Sequence, residues 1–299
     1  MEGMFAAILG GKTKNKNKKK TKRRVNCFAG RTKKNGKTCY ADKSLIELRD
    51  EWNKMHPDKK ITTKNSEKIW DQLAFNLNHV CENEICWLEK KFNKGNIAER
   101  LKKIHFAPDQ PDKWKKNPNE WLNSLDIEHV MKQYENDYKN FEFLGPSPID
   151  FDLIKNNKCI EEEICNCNVV QKYNNGKHKI GMIFNLDPHY KGGSHWVSLF
   201  VDLDDNYIFF LDSNGDKIPK EIKKLVNRVQ KQSKDGLHKK LKFIDNAPME
   251  HQHENTECGI YSLYNIISLL TKKKSPRQIK NKRIPDADME EFRSIFFNP

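Results

Sequence analysis

The chain lacks the long apolar segments that membrane-spanning proteins require. No run of about 18 consecutive apolar residues occurs in its 299 residues, so the sequence predicts no transmembrane helix. The short apolar patch at residues 4–9 has no basic segment before it, and lysine-rich sequence follows it, so we also expect no secretory signal peptide. The length allows one large domain, or one domain with a substantial appendage.

Cysteine is present, but it shows no regular spacing. Without a secretion signal, this irregular spacing favours a reducing compartment and free thiols over a disulfide framework. A zinc site formed by Cys159, Cys165 and Cys167 with His178 is disfavoured, because no paired Cys-x-x-Cys spacing occurs there. We therefore expect no metal ion and no organic cofactor. The eight cysteines are Cys27, Cys39, Cys81, Cys86, Cys159, Cys165, Cys167 and Cys258.

Acidic residues are missing from the N-terminal part of the chain. Residues 3–41 contain 13 Lys or Arg and no Asp or Glu, whereas the other residues are nearly balanced, with 42 basic and 41 acidic side chains. The net charge of +14 therefore describes a tail, and we expect residues 1–40 to form a disordered basic tail. Such a tail suits salt-dependent contact with nucleic acid, but a solubilising or localisation role stays equally open.

Helical periodicity dominates residues 41–139. One apolar face, which follows a candidate cap at Ser66, contains Ile69, Trp70, Leu73 and Leu77. Prolines at positions 108, 111 and 118 interrupt the pattern, and residues 125–138 are helical again. No catalytic arrangement of side chains occurs in this part, so the sequence predicts a helical arm domain over residues 41–139.

Strands alternate with helices from residue 140 onwards. Apolar runs predict strands at residues 180–185, 195–202, 207–212 and 240–245, the second and third joined as a hairpin. Helices are predicted near Pro219, directly after Cys258 and over residues 286–297. The alternation favours an α+β catalytic domain over residues 140–299, in which helices flank a mixed sheet.

Four polar residues stand at the ends of these elements, in the chain order His195, Asp212, Gln252 and Cys258. A thiol attacks as a thiolate, and the first turn of a helix stabilises negative sulfur through its free backbone N–H groups. His195 would take the proton, and Asp212 would hold the imidazole through Nδ1–H. The Gln252 amide and the Cys258 backbone N–H would form an oxyanion hole. The set predicts a thiol hydrolase.

Each residue also has a structural explanation. A cysteine ahead of a helix is most often a small buried hydrophobe, and Asp212 suits a turn after a strand. His251 and His253 are alternative bases, but they share a loop with the nucleophile and no carboxylate-bearing strand accompanies them. Asp202 is an alternative acid, yet seven residues along the histidine's own strand place it roughly 20 Å away. The joint arrangement favours the thiol hydrolase.

These motifs resemble those of a known superfamily, the SUMO proteases and adenovirus proteases. Within it, residues 256–263 most resemble the polyprotein-processing proteases of African swine fever virus and related large DNA viruses. The resemblance is specific over about residues 180–297, loose over residues 40–180, and absent from the basic tail. It implies a papain-like, SUMO-protease-like core with a helical N-terminal arm. The motifs are Asn185, His195-Trp196, Asp212, Gln252 and Glu257-Cys258-Gly259.

One position departs from the viral pattern. The swine fever enzyme has an asparagine where Asp212 stands, and this chain agrees there with the cellular SUMO proteases. The departure leaves the choice of substrate open, but the implied reaction is the same in both groups.

The resemblance implies a cysteine endopeptidase that cuts viral structural polyproteins after Gly-Gly motifs during virion maturation. A glycine pair needs a narrow tunnel, and Trp196 and Asn185 are candidate walls. The expected locations are the virion and the viral factory in the host cytoplasm, and Gly10-Gly11 is a candidate self-cleavage site. Two alternatives remain: an isopeptidase that removes SUMO or another ubiquitin-like modifier from host proteins, and a nucleic-acid-binding virion component that uses the basic tail. The sequence does not define the oligomeric state.

Overall fold

The computed structural model describes residues 25–92 and 96–299, which divide into two compact units. Unit 1 contains the described residues up to Gln110 together with Ser294–Pro299, and unit 2 is Pro111–Arg293. The structure divides the chain earlier than the predicted arm boundary at residue 139, because helix α5 (Ser124–Asp137) packs on strand and helix elements of unit 2. The predicted arm as a separate domain stays a prediction. Gly10-Gly11 lies outside the described residues.

Unit 1 has helices around an apolar core. The helices are α1 (Asp42–Met55), α2 (Ser66–Leu77), α3 (Glu84–Lys90) and α4 (Ile97–His105). Leu48, Leu73 and Leu88 are fully buried in this core, as the helical spacing of the apolar residues requires. Asn65 caps α2 by accepting a hydrogen bond from the Lys68 N–H at 3.0 Å, one residue before the expected cap.

Residues 25–40 differ from the disordered tail to which the sequence assigns them. Val25, Phe28 and Tyr40 are buried, and Val25 and Tyr40 belong to the core of unit 1. The many lysines of the preceding residues mask this apolar pattern in the composition. The part of the tail before residue 25 lies outside the described residues.

The prediction that the thiols are free is wrong for six of the eight cysteines. Their Cα atoms lie 5.2, 5.4 and 6.3 Å apart in pairs, within the range that disulfides span, and the pairs are bonded. Chain spacing alone cannot show which cysteines meet in the fold. Cys167 and Cys258 are free and buried. The disulfides are Cys27–Cys39, Cys81–Cys86 and Cys159–Cys165.

A five-stranded mixed sheet organises unit 2. Its strands lie in the order β1-β4-β5-β6-β7, with the outer pairs β1/β4 and β6/β7 parallel and the inner pairs antiparallel. A small hairpin of β2 and β3 stands apart from it. The strands are β1 (Phe141–Pro148), β2 (Ile154–Lys155), β3 (Lys158–Cys159), β4 (Lys179–Asn185), β5 (Trp196–Asp202), β6 (Tyr207–Leu211) and β7 (Lys242–Asp245).

Helices cover both faces of this sheet. Ile222 and Val229 of α8 pack against one face of β4, β5 and β6 in a single apolar cluster. On the other face, α9 approaches β4 so closely that a Cβ on Gly181 would lie 2.8 Å from Ile266. Two covered faces explain why β5 is buried along its whole length. The helices after α5 are α6 (Glu162–Cys165), α7 (Val169–Asn174), α8 (Lys220–Leu237), α9 (Cys258–Leu270), α10 (Pro276–Asn281) and α11 (Asp286–Phe296).

This architecture confirms the predicted fold class. The strands predicted from their apolar runs occur as β4, β5, β6 and β7, with ends shifted by up to two residues. The sequence did not predict β1, because it contains Gly145, Pro146 and Pro148, which weaken a strand pattern. Prolines are tolerated there since β1 is an edge strand. Among the described residues, no helix combines the length and apolar character needed to cross a bilayer.

Candidate active site

The register of the sheet brings His195 and Asp212 to one edge. Strands β5 and β6 are antiparallel, with Ser198 opposite Leu211, so the residue before β5 and the residue after β6 lie at the same end. Helix α9 begins with Cys258 and packs mainly against β5. The fold thus assembles residues that are up to 63 positions apart in the sequence.

A hydrogen bond joins the imidazole to the carboxylate. His195 Nε2 lies 2.7 Å from Asp212 Oδ1, and the Asp212 side chain is 1% exposed. The sequence predicts this bond at Nδ1, but in the structure it is at Nε2. With Nε2 on the carboxylate, Nδ1 is the ring nitrogen left for Cys258, the other group that raises the pKa of this imidazole.

These partners decide the protonation of His195. Burial alone lowers the pKa of the imidazole, but the hydrogen bonds with Asp212 and Cys258 and the charges of both groups outweigh it and raise the pKa to about 10. A protonated imidazole beside the sulfur is therefore favoured at neutral pH. It is the arrangement in which a cysteine acts as a thiolate and the histidine later supplies the proton for a leaving group.

The local backbone favours negative charge at Cys258. This residue opens α9 and is 2% exposed, and the first intrahelical bond in its turn runs from the Tyr261 N–H to the Glu257 carbonyl at 2.9 Å. No side chain caps this helix start, so the first-turn N–H groups remain available to an anion. The other free cysteine, Cys167, has a pKa that burial raises, which makes it a poor nucleophile.

Ser213 holds Gln252 in place. The Gln252 Oε1 accepts a hydrogen bond from Ser213 Oγ at 2.8 Å, and its backbone N–H donates to the Ser213 carbonyl at 2.9 Å. Gln252 Nε2 donates one hydrogen to the Glu254 carbonyl at 2.6 Å. A primary amide has two N–H donors, so one remains for an oxyanion. Because Ser213 directly follows Asp212, these hydrogen bonds join the loop that carries Asp212 to the loop that carries Gln252.

Asn246, which was not among the predicted site residues, holds the backbone of Asp212 through two hydrogen bonds. Its Oδ1 accepts from the Asp212 N–H at 3.0 Å, and its Nδ2 donates to the Asp212 carbonyl at 2.7 Å. Asn246 follows β7, the parallel neighbour of β6, and is fully buried. The signal that could have identified Asn246 is its position directly after a strand. Parallel neighbouring strands end at one edge of a sheet, so the residue after β7 lies near the residue after β6, which is Asp212.

A cleft of about 460 Å³ is lined by both predicted tunnel residues, Asn185 and Trp196, the second of which directly follows His195, whereas His195 and Cys258 are not among its lining residues. The Trp196 indole is fixed there by its Nε1–H, which donates to the Leu122 carbonyl at 2.9 Å. Asn185 does more than line the cleft: its Oδ1 accepts from the backbone N–H groups of Asp187 and Ser194, at 2.9 and 3.2 Å, and so shapes the loop before His195.

Leu122 connects this cleft with the nucleophile. A Cβ built on Gly259, the residue after Cys258, would lie 3.0 Å from Leu122 Cβ and Cδ1. The backbone of the nucleophile's helix therefore touches Leu122, whose carbonyl in turn holds Trp196. Leu122 thus contacts both the start of helix α9 and a residue that lines the cleft.

Comparison with known proteins agrees with this geometry. Residues 150–298 match the model of the Ulp1 protease family, C-terminal catalytic domain. The protein is a Ulp1-like cysteine protease. Over 292 residues it is 27% identical to a protein of Acanthamoeba polyphaga mimivirus that is named as a thiol protease, covering 91% of this chain and 92% of that one. It thus resembles proteases of large DNA viruses along nearly its whole length.

Solved structures show the same fold. The crystal structure of the African swine fever virus protease superposes with a TM-score of 0.67 at 21% identity, covering 93% of this chain and 98% of that one. The selenomethionine form of that protease gives a TM-score of 0.61 at 20% identity with the same coverage. The fold of this protease therefore extends beyond the catalytic domain into the N-terminal helices.

The alternative bases and acid have other roles in the structure of the protease. His251 Nδ1 accepts a hydrogen bond from the Ile284 N–H at 3.1 Å, and burial together with the Arg283 charge lowers its pKa to about 4. The His253 side chain is exposed. Asp202 pairs with Lys179 at the opposite end of β5. None of these three side chains is hydrogen-bonded to His195 or Cys258 in the described residues.

No metal centre is built by the described residues, which contain no group of three or more His, Cys, Asp or Glu able to hold an ion. Cys159 and Cys165, two of the candidate zinc ligands, are bonded to each other.

Proposed function

We propose that this protease cleaves polypeptides after Gly-Gly motifs and processes viral structural polyproteins during virion maturation. The observation that carries the glycine preference is the close approach of Leu122 to Gly259, the residue after the nucleophile, together with the hydrogen bond of the Leu122 carbonyl with the cleft residue Trp196. We infer that a substrate strand that reaches Cys258 from the cleft passes Leu122, where side chains on its last two residues would collide. The similarity to viral proteases along the chain supports a viral polyprotein as substrate.

The site supports a two-step mechanism. The Cys258 thiolate attacks the carbonyl carbon of the second glycine, and the oxyanion is stabilised by the Cys258 N–H and the remaining Gln252 Nε2–H. The imidazolium of His195 gives its Nδ1 proton to the amine, the C–N bond breaks, and a thioester remains. Water then gives a proton to Nδ1 and attacks the thioester, and the thiolate leaves. Asp212 holds the ring at Nε2 throughout.

Peptide cleavage tests the glycine preference. Three peptides are compared that differ only in the two residues before the scissile bond: Gly-Gly, Ala-Gly and Gly-Ala. One added methyl group in a crowded site costs about 1–3 kcal/mol, so kcat/KM should fall about 5- to 150-fold for each alanine peptide. The Cys258→Ala variant is the control for contaminating proteases. Equal rates for the three peptides would contradict the proposal.

A second candidate is an isopeptidase that acts on a folded ubiquitin-like modifier. It is favoured by exposed apolar side chains on segments that border the cleft: Trp121 lines it, and Tyr190, which is 73% exposed, stands between two lining residues. Such side chains suit a folded domain that lies just before the Gly-Gly motif. An electrophilic probe built on SUMO or ubiquitin tests this. Labelling at least 100-fold faster than with a short Gly-Gly probe would favour the isopeptidase, and equal rates would favour the polyprotein protease.

The predictions for the N-terminal residues need separate tests. Self-cleavage after Gly10-Gly11 remains a proposal, which the intact mass of the wild type beside Cys258→Ala would decide. Binding of nucleic acid by the basic tail and residence in the virion or viral factory are also proposals. They rest on the composition of residues 1–40 and on the viral relatives.

A further inference from the structure

A second basic region lies within the catalytic unit, far along the chain from the tail. Residues 217–242 contain ten Lys or Arg but only two acidic residues, Glu221 and Asp235. Outside this region and residues 3–41, the chain has 32 basic and 39 acidic side chains, so its balance is acidic. The near neutrality of the chain beyond the tail therefore hides a local concentration of positive charge.

Helix α8 displays this charge as a stripe. Lys220, Lys224, Lys231 and Lys234 are all exposed and, at 100° per residue, fall within about 40° of one line along the helix. The stripe is about 21 Å long, since it spans 14 residues at 1.5 Å each. The opposite side of the helix carries Ile222, Leu225, Val226 and Val229, which pack on the sheet. The lysines thus point away from the sheet.

These lysines have few acidic partners. Lys224, Lys231 and Lys234 form no ion pair with any described residue, and Lys220 approaches only Glu221, at 3.9 Å. Beyond the helix, Lys240 and Lys242 continue the exposed charge without such a partner. By contrast, Arg228 on the flank of the helix is already paired with Asp152 at 2.9 Å. The stripe therefore keeps its charge available to an anionic partner.

We propose that this lysine stripe, Lys220, Lys224, Lys231 and Lys234, is a binding surface for the phosphate backbone of nucleic acid. An extended row of exposed lysines, three of them without an ion pair among the described residues, matches a polymer with one phosphate every few ångströms, and lysine contacts the backbone without reading sequence. The stripe and Cys258 belong to helices on opposite faces of the sheet, so nucleic acid on α8 leaves the active site open. The surface would hold the protease on nucleic acid while it cuts protein, whichever bond it cuts.

Binding of a labelled random-sequence DNA duplex to the full-length chain, measured by fluorescence anisotropy over a range of salt concentrations, tests the stripe. The stripe variant is Lys224→Gln, Lys231→Gln and Lys234→Gln. A matched control, Lys43→Gln, Lys116→Gln and Lys139→Gln, removes the same charge from exposed lysines elsewhere. A tail variant, Lys18→Gln, Lys19→Gln and Lys20→Gln, measures how much the tail contributes to DNA binding.

Each phosphate contact adds about 0.9 to the slope of log Kd against log salt concentration for duplex DNA. The stripe variant should therefore lower the slope by about 2.5 and weaken binding at least tenfold at low salt, and the control should change the slope by less than 1. Equal slopes for the stripe variant and the control would overturn the proposal. So would a stripe variant that loses binding to vesicles of phosphatidylserine and phosphatidylcholine but keeps its affinity for DNA. Unchanged cleavage of a short peptide by the stripe variant verifies that it is folded.

Discussion

Arg293 forms a buried bidentate ion pair with Glu257, the residue directly before the nucleophile. Its Nη2 lies 2.9 and 3.0 Å from the two Glu257 oxygens, and the two side chains are 7% and 1% exposed. The same guanidinium donates to the Glu120 carbonyl at 2.7 Å and stacks on Trp114 at 4.3 Å. Arg293 therefore joins the start of helix α9 to the segment that carries Leu122.

Replacing Arg293 should affect both catalysis and stability. Arg293→Lys keeps the charge but loses the planar guanidinium that binds both Glu257 oxygens. We therefore expect the start of helix α9 and the segment that carries Leu122 to shift, and kcat/KM to fall about 10- to 100-fold. Arg293→Ala leaves the Glu257 charge buried and unpaired, which costs about 3–5 kcal/mol of stability. Steady-state kinetics and denaturant unfolding measure the two effects. Arg277→Lys, at an exposed position, is the control, and an Arg293→Lys enzyme as active as this control would refute the positioning role.

The pKa of His195 predicts the alkaline limit of activity. Because the imidazolium persists up to its pKa of about 10, kcat/KM should stay high in mildly alkaline solution and fall near pH 10. Asp212→Asn removes a negative partner that raises this pKa, so the limit should move to lower pH, with a milder loss of activity at neutral pH than Cys258→Ala causes. A pH–rate profile of both enzymes provides the measurement. An alkaline limit that does not move in Asp212→Asn would argue against this pairing.

Asn246 should matter although it is remote from the nucleophile. Asn246→Ala removes both hydrogen bonds that fix the Asp212 backbone and leaves those buried groups without a partner, at a cost of about 1–3 kcal/mol. We expect a lower kcat with little change in KM, because the acid and the imidazole lose their alignment. Asn174→Ala, on an exposed position, is the matched control. Wild-type kcat in Asn246→Ala would show that these hydrogen bonds are dispensable.

His251 predicts sensitivity to acid. Its pKa in the fold is about 4, below the ordinary value of 6.5, so the unfolded chain binds the proton more readily. Its contribution to stability is therefore complete above about pH 6.5 and is lost as the pH falls toward 4. His251→Asn keeps an acceptor for the Ile284 N–H and should lose less Tm between pH 7 and pH 5 than the wild type. The exposed His253→Asn control should lose as much as the wild type; an equal loss in all three proteins would speak against this role.

The sequence predicts the fold well where local patterns carry the information. Apolar runs locate β4 to β7, and the three- or four-residue spacing after Cys258 locates α9, so the strand ends that carry His195 and Asp212 could be placed near one another. Strand β1 escaped prediction because Pro146 and Pro148 disguise it.

The missed parts of the site depend on contacts between distant residues. Glu257 and Arg293 are 36 positions apart without a pattern that links them, and Asn246 lies 34 positions from Asp212, so that its position directly after a predicted strand was the one signal for it. The choice between Nε2 and Nδ1 of His195 depends on the ring orientation, and the pairing of the cysteines depends on the folded path of the chain. None of these is encoded by periodicity or by spacing.

The most direct test of the central claim is covalent trapping of the nucleophile. The full-length protein is treated with a short peptide that ends in Gly-Gly vinyl methyl ester, and the adduct is located by mass spectrometry of proteolytic fragments. The account predicts one adduct, on Cys258, at least 100-fold slower in His195→Ala and absent in Cys258→Ala. An adduct on Cys167 alone, or cleavage of a Gly-Gly peptide by Cys258→Ala at the wild-type rate, would contradict it.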